Sequence, residues 1–247
     1  MITVRPQDAI HKAYLLRLLT TIVDNTFLSQ TLYFKGGTCA SMMGILDRFS
    51  IDLDFDIKPE VDERKMRSEF YRVFEKLDFK INEESKKALE FFLKYSSPLN
   101  QRNTLKVDAL NFQVKANKYN AVFLPEINRT VNCQTKGTIF ANKLVAVKDR
   151  FDHRQTIAGR DIYDIHHFFI NGLRYDQDII VERTGFSVLD YLTYLRDFIK
   201  NKVTMTLIDQ DLNTLLPLES FNRIRKTLKV ETIAFIDNEI ARLKSGS

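Results

Sequence analysis

The chain has only two cysteines, Cys39 and Cys133, and they form no CxxC or Cys/His spacing. That argues against a structural zinc site and against a secreted disulfide scaffold. Eight glycines and five prolines among 247 residues leave no room for a long low-complexity linker. Long hydrophobic runs are missing too. The most apolar stretch, Ala13 to Val23, is broken by Arg17 and followed by Asp24, too short to span a bilayer. No basic segment leads into an apolar core at the N-terminus, so the sequence reads as cytoplasmic, with no membrane partner. Neither charge sign dominates. Lys and Arg number 21 against 17 acids over 1–140, and 16 against 15 over 141–247. The net charge of +5 permits a polyanionic partner without demanding one, and only local clusters could form a nucleic-acid footprint.

With 44% hydrophobic residues, the chain is long enough for one large domain or two modest ones. Pro6-Gln7-Asp8 opens a helix in which Ile10, Tyr14, Leu15, Leu18 and Ile22 recur at helical spacing. A short strand over 31–34 then feeds a Gly-Gly turn, with a helix predicted from Thr38 to Leu46. Residues 51–57 alternate strictly, with Ile51, Leu53, Phe55 and Ile57 on one face and Asp52, Asp54 and Asp56 on the other. A charged amphipathic helix over 62–77 follows, then β-like runs at 79–81, 89–95, 105–112 and 121–124. From Ile139 the period turns helical, with helices expected over 139–154, 161–171, 187–201 and 219–244. The simplest partition is an α+β fold with a mixed sheet over 1–137 and a helical C-terminal domain over 138–247.

Lys35-Gly36-Gly37-Thr38 is followed, after thirteen residues, by Asp52-Leu53-Asp54-Phe55. Two glycines let backbone approach a triphosphate. Two carboxylates spaced by one residue leave a strand on one face and can share a divalent metal. Alone, the Gly-Gly pair reads as a tight turn with Thr38 capping the next helix; beside the acidic pair it reads as a phosphate cradle. Nucleotidyl transfer needs convergent carboxylates, and the third candidate is Asp108, set between apolar neighbours in Leu105-Lys106-Val107-Asp108-Ala109-Leu110. The competing reading puts Asp108 on a strand with one wet side. Arg48 is expected to order the loop before the acidic strand by pairing with an acid, and Ser50 to begin that strand.

Further on, Lys143, Val147 and Arg150 share a helix face, as do Asp161 and Asp164. Lysine and arginine can neutralise triphosphate charge while a neighbouring acid holds them in place; two surface helices joined by salt bridges would show the same pattern. His166-His167 reads as packing and helix surface, and His153 completes no ligand pattern. Arg223, Arg225, Lys226 and Lys229 cluster near the C-terminus, a solvated face that RNA could use.

In this order, Lys35-Gly36-Gly37-Thr38, Arg48-Phe49-Ser50, Asp52-Leu53-Asp54-Phe55, Lys143 and Arg160-Asp161-Ile162-Tyr163-Asp164 resemble the AbiEii/AbiGii nucleotidyltransferase-like toxins, the MenT-type toxins included. The resemblance covers roughly 30–170. It implies a polymerase-β-like nucleotidyltransferase domain followed by a helical domain. It assigns Lys35, Gly36, Gly37 and Thr38 to the nucleotide-binding turn, with Thr38 where many relatives carry serine. Asp52 and Asp54 match the metal-binding pair, with Mg²⁺ or Mn²⁺ the implied ion. Lys143 matches a required lysine and Asp161 a required acid. Ser50 matches a serine that some members use for self- or antitoxin-linked modification. The implied reaction takes a nucleotide from a nucleoside triphosphate, in some members onto the acceptor end of tRNA, with a cognate antitoxin as partner protein and roles in phage defence or growth arrest. Two other functions stay open: nucleotidylation of a protein hydroxyl by the same site, and a non-catalytic nucleotide-binding module. The intact Asp52/Asp54 pair argues against the last, because a binding-only descendant needs no complete metal pair.

Overall fold

A computed structural model describes residues 5–111 and 114–246, which divide into two compact units. Phe112, the predicted end of a strand, lies outside the described residues. The first unit comprises 5–111 and 119–135; the second comprises 114–118 and 136–246.

In the first unit, α1 (Ala9–Asp24) follows a 3-10 turn at Pro6–Asp8. It buries Leu15, Leu18, Leu19 and Ile22, the apolar stripe of a helix lying on a sheet. Asn25 caps α2 (Thr26–Thr31) by accepting from the Leu28 amide. Strand β1 (Leu32–Lys35) runs directly into α3 (Gly36–Met42), so the two glycines form the first turn of a helix rather than a separate turn before one. Strand β2 (Asp52–Ile57) carries the acids. The Asp62 side chain then caps α4 (Glu63–Lys76), accepting from the Arg64 and Lys65 amides. Strands β3 (Lys80–Glu84), β4 (Leu89–Lys94), β5 (Thr104–Leu110), β6 (Tyr119–Leu124) and β7 (Arg129–Gln134) complete a mixed seven-stranded sheet in the order β3-β4-β5-β2-β1-β7-β6.

This topology puts β2 near the centre, antiparallel to β1 and parallel to β5. Leu53, Phe55, Leu105, Val107 and Phe91 point to the buried face, where Phe91 meets Phe70 and Phe74 of α4. Because strand side chains alternate, residues 52, 54 and 56 of β2 share the opposite face with 106 and 108 of β5. Both edges of β2 are thereby paired, and its acids share one face of the sheet.

The second unit contains α5 (Lys136–Arg154), α6 (Gly159–Ile170), α7 (Gln177–Thr184), α8 (Val188–Lys202), α9 (Met205–Leu212), α10 (Leu218–Ile224) and α11 (Leu228–Lys244). Leu144, Ile162, Phe168, Leu192, Leu195 and Ile236 are fully buried in it. Tyr191 is also buried, and its hydroxyl donates to the Leu144 carbonyl at 2.8 Å. The helix expected over 219–244 is two helices, α10 and α11, interrupted at Arg225–Thr227. Tertiary anchors explain the break: Arg225 pairs with Asp209, and Lys229 donates to the Val203 carbonyl at 2.8 Å. Among the described residues no helix is long and apolar enough to cross a membrane.

Candidate active site

The acidic pair and the Gly-Gly turn are built into each other. Lys35 lies opposite Asp54 in the β1–β2 register, so the chain enters α3 directly over that carboxylate. Gly36 has a φ of 77°, and a Cβ there would overlap Asp54 Oδ2. A Cβ on Gly37 would sit 2.8 Å from Ser50 Oγ and 3.1 Å from Arg48 Nη2. The protein's own Asp54, Ser50 and Arg48 therefore occupy the space that the glycines leave. Thr38 is buried, and its hydroxyl donates to the Asp52 carbonyl, tying the helix to the start of β2. Arg48 is 3% exposed and donates to the Phe49 carbonyl at 3.1 Å, so it lies behind the turn as part of its support.

The third acid of β2 is already committed. Asp56 accepts from Lys35 Nζ at 2.6 Å, Gln134 Nε2 at 2.6 Å and Tyr119 Oη at 3.0 Å. Lys35, expected at the nucleotide, thus holds its ammonium on Asp56. Asp108 stands opposite Asp54 in the β2–β5 register. Its Oδ2 accepts from Lys106 Nζ at 2.8 Å, whereas Oδ1 is buried without a hydrogen-bond partner.

Among the described residues, no three Asp, Glu, His or Cys side chains gather closely enough to cage a metal ion. Mg²⁺ does not require such a cage, because it keeps several waters and is usually held by one or two carboxylates plus substrate phosphates. Asp52 and Asp54 on one face, with the unsatisfied Asp108 oxygen beside them, are a donor set of that kind.

In the helical unit a second polar cluster joins α5 to α6. Lys143 Nζ lies 2.8 Å from Asp164 Oδ2 and 3.5 Å from Asp161 Oδ1, and Arg150 Nε donates to Asp161 Oδ2 at 3.1 Å. Both aspartates are buried, Asp164 completely. Asp161 therefore anchors two cations rather than facing open solvent. His166, read as packing, is buried beside Phe235 and pairs with Glu231 at 2.7 Å.

The model of the AbiEii nucleotidyl transferase toxin family, of type IV toxin–antitoxin systems, matches residues 17–227. The chain belongs to that family. It is a toxin-type nucleotidyltransferase, as the ordered motifs led us to expect. Solved structures share its fold over nearly the whole length. JHP933 from Helicobacter pylori is 18% identical, with a TM-score of 0.59 over 99% of this chain and 96% of its own. A further nucleotidyltransferase structure from Helicobacter pylori is 19% identical, with a TM-score of 0.61 over 99% of each chain. MenT4, a nucleotidyltransferase toxin from Mycobacterium tuberculosis, is 16% identical, with a TM-score of 0.53 over 96% of this chain and 93% of its own. No curated protein gives a significant sequence match.

The sequence reading of this AbiEii chain missed Lys106, Glu90, Tyr119 and Gln134. Lys106 carried a signal, since it lies two residues before Asp108 on an alternating strand and so shares its face. The other three reach the acids only through strand pairing, and no local pattern announces them.

Proposed function

We propose that this chain transfers a nucleotide from a nucleoside triphosphate to the 3′ end of an RNA, a tRNA acceptor end being the first candidate, in a reaction dependent on Mg²⁺ or Mn²⁺. The observation that carries the reading is the Asp52/Asp54 pair on one face of β2, fitted against the turn at Gly36. When bound, the cation supplies charge that neutralises the triphosphate and polarises the reacting phosphorus. Asp52 and Asp54 hold it, with Asp108 as the third acid. The acceptor oxygen bonds to the α-phosphorus, the bond to the bridging oxygen breaks, and pyrophosphate leaves as the acceptor hydroxyl gives up its proton. Gly36, Gly37 and Thr38 shape the backbone that meets the phosphates. Lys143 and Arg150 are assigned to phosphate charge, and Asp161 to holding them. A cognate antitoxin is the partner protein that family membership calls for, and the cytoplasm, which holds both substrates, is where the activity belongs.

The test incubates the protein with each labelled triphosphate and total RNA, with and without Mg²⁺. Label should enter RNA only with the cation, and Asp52→Ala or Asp54→Ala should lower transfer by at least about 100-fold without changing the melting temperature. Near wild-type turnover in either variant at saturating Mg²⁺ would sink the two-carboxylate assignment. Label on protein alone would favour the protein-hydroxyl reaction, and no label anywhere the non-catalytic module.

A further inference from the structure

The sheet face that carries Asp52 and Asp54 also carries a cation of its own. Lys106 Nζ lies 2.8 Å from Asp108 Oδ2 and 2.6 Å from Glu90 Oε1. Strand register sets this arrangement: Asp108 is opposite Glu90 on one side and Asp54 on the other, and Lys106 is opposite Asp52. All three side chains are largely buried, at 23% exposure for Lys106, 16% for Asp108 and 30% for Glu90. Glu90 balances the lysine's charge, so the chain of three keeps one net negative charge. That charge sits on a carboxylate with one oxygen occupied and the other, Oδ1, buried and bare. An unsatisfied buried acceptor is costly, and the fold offers it no donor.

We propose that Lys106 is a positioning residue: anchored by Glu90, it fixes Asp108 through Oδ2 so that Oδ1 is presented to the divalent cation beside Asp54. The inference rests on the metal-dependent reading above. A metal ligand held by an outer partner keeps its orientation, and losing such partners typically weakens metal binding about 10- to 100-fold. The rival idea, that the ammonium simply competes with the cation for Asp108, predicts the opposite sign. Removing a competitor tightens binding; removing a support weakens it.

The deciding measurement is Mn²⁺ binding to the full chain, with Mn²⁺ alone as probe, followed by electron paramagnetic resonance. Lys106→Met should weaken binding about tenfold, and Lys106→Arg should restore part of the loss. Asp108→Asn should weaken it at least as much, and Lys106→Met combined with Asp108→Asn should be no weaker than Asp108→Asn alone, because both act through one ligand. Unchanged or tighter binding in Lys106→Met, or losses that sum in the double variant, would overturn the proposal. Should Lys106→Met fail to fold, Glu90→Gln replaces it: binding several-fold weaker supports the anchor, and unchanged binding overturns it. Asp54→Asn separates the two levels. If it abolishes Mn²⁺ binding while Lys106→Met has no effect, only this inference fails; if the wild type binds no Mn²⁺ even with a non-hydrolysable nucleoside triphosphate present, the metal reading fails with it.

Discussion

At the scale of single residues, His11 shows how a distant side chain holds the start of the acidic strand. It is 1% exposed, and its Nε2 donates to the Ile51 carbonyl at 2.9 Å, one residue before Asp52. Nδ1 lies against the Tyr95 hydroxyl, which in turn donates to the Arg102 carbonyl at 2.9 Å. Burial pushes the imidazole down to about 4, and the nearby Arg102 charge adds to the shift, against the Ile51 hydrogen bond. The unfolded chain takes up a proton below its ordinary value of 6.5, while the folded chain stays neutral until about 4. Stability from His11 is therefore complete above pH 6.5 and drains as pH falls toward 4, by up to roughly 3 kcal/mol. Urea unfolding at pH 7 and pH 4.5 should show a smaller loss for His11→Gln than for the wild type. Equal losses would show that His11 does not carry this dependence.

Among elements, the α5–α6 pair offers the sharpest test, because Lys143 has both a proposed role at phosphate and an observed one in the fold. Breaking a buried ion pair from one side leaves an uncompensated charge, commonly at about 3–5 kcal/mol. Lys143→Met should therefore lower stability by about 3 kcal/mol through Asp164. Adding Asp164→Asn should recover much of the stability without recovering transfer. Full stability in Lys143→Met would mean that the lysine serves the phosphates alone. Elements also differ in how far the sequence disclosed them. The period-two alternation of 51–57 placed Asp52 and Asp54 on one face, because strand geometry requires it. The stripes of α1 and α4 were equally open. Strand β7 was not, since Arg129-Thr130-Val131-Asn132-Cys133-Gln134 has only two buried apolar side chains, Val131 and Cys133, too few for a pattern. Helices α2, α7 and α9 escaped as well, each at most eight residues long and held by packing rather than by period. The glycines were read as room for phosphate, whereas Asp54, Ser50 and Arg48 fill that room through contacts that only the folded chain reveals.

For the whole molecule, charge sets the expectation for RNA. Of the four C-terminal cations, Arg225 is paired with Asp209 and Lys229 with the Val203 carbonyl, while Arg223 and Lys226 are exposed. Backbone contacts release counterions, so RNA affinity should fall steeply with salt and triphosphate affinity less so. Arg223→Glu with Lys226→Glu should lower RNA affinity and flatten the salt slope by about 1–2, leaving nucleotide binding unchanged. An unaltered slope would move the RNA surface elsewhere.

The path of the chain has a mechanical consequence. Residues 114–118 leave the strands, lodge among the helices and return: Glu182 accepts from the Lys115 and Ala116 amides, and Asn142 donates to Asn117. The chain thus crosses between the two units three times rather than once. Cutting at a protease site introduced between Thr135 and Lys136 should not part them. The two fragments should co-elute on gel filtration under native conditions and separate only in denaturant, whereas separation without denaturant would mean that the stitch at 114–118 holds nothing.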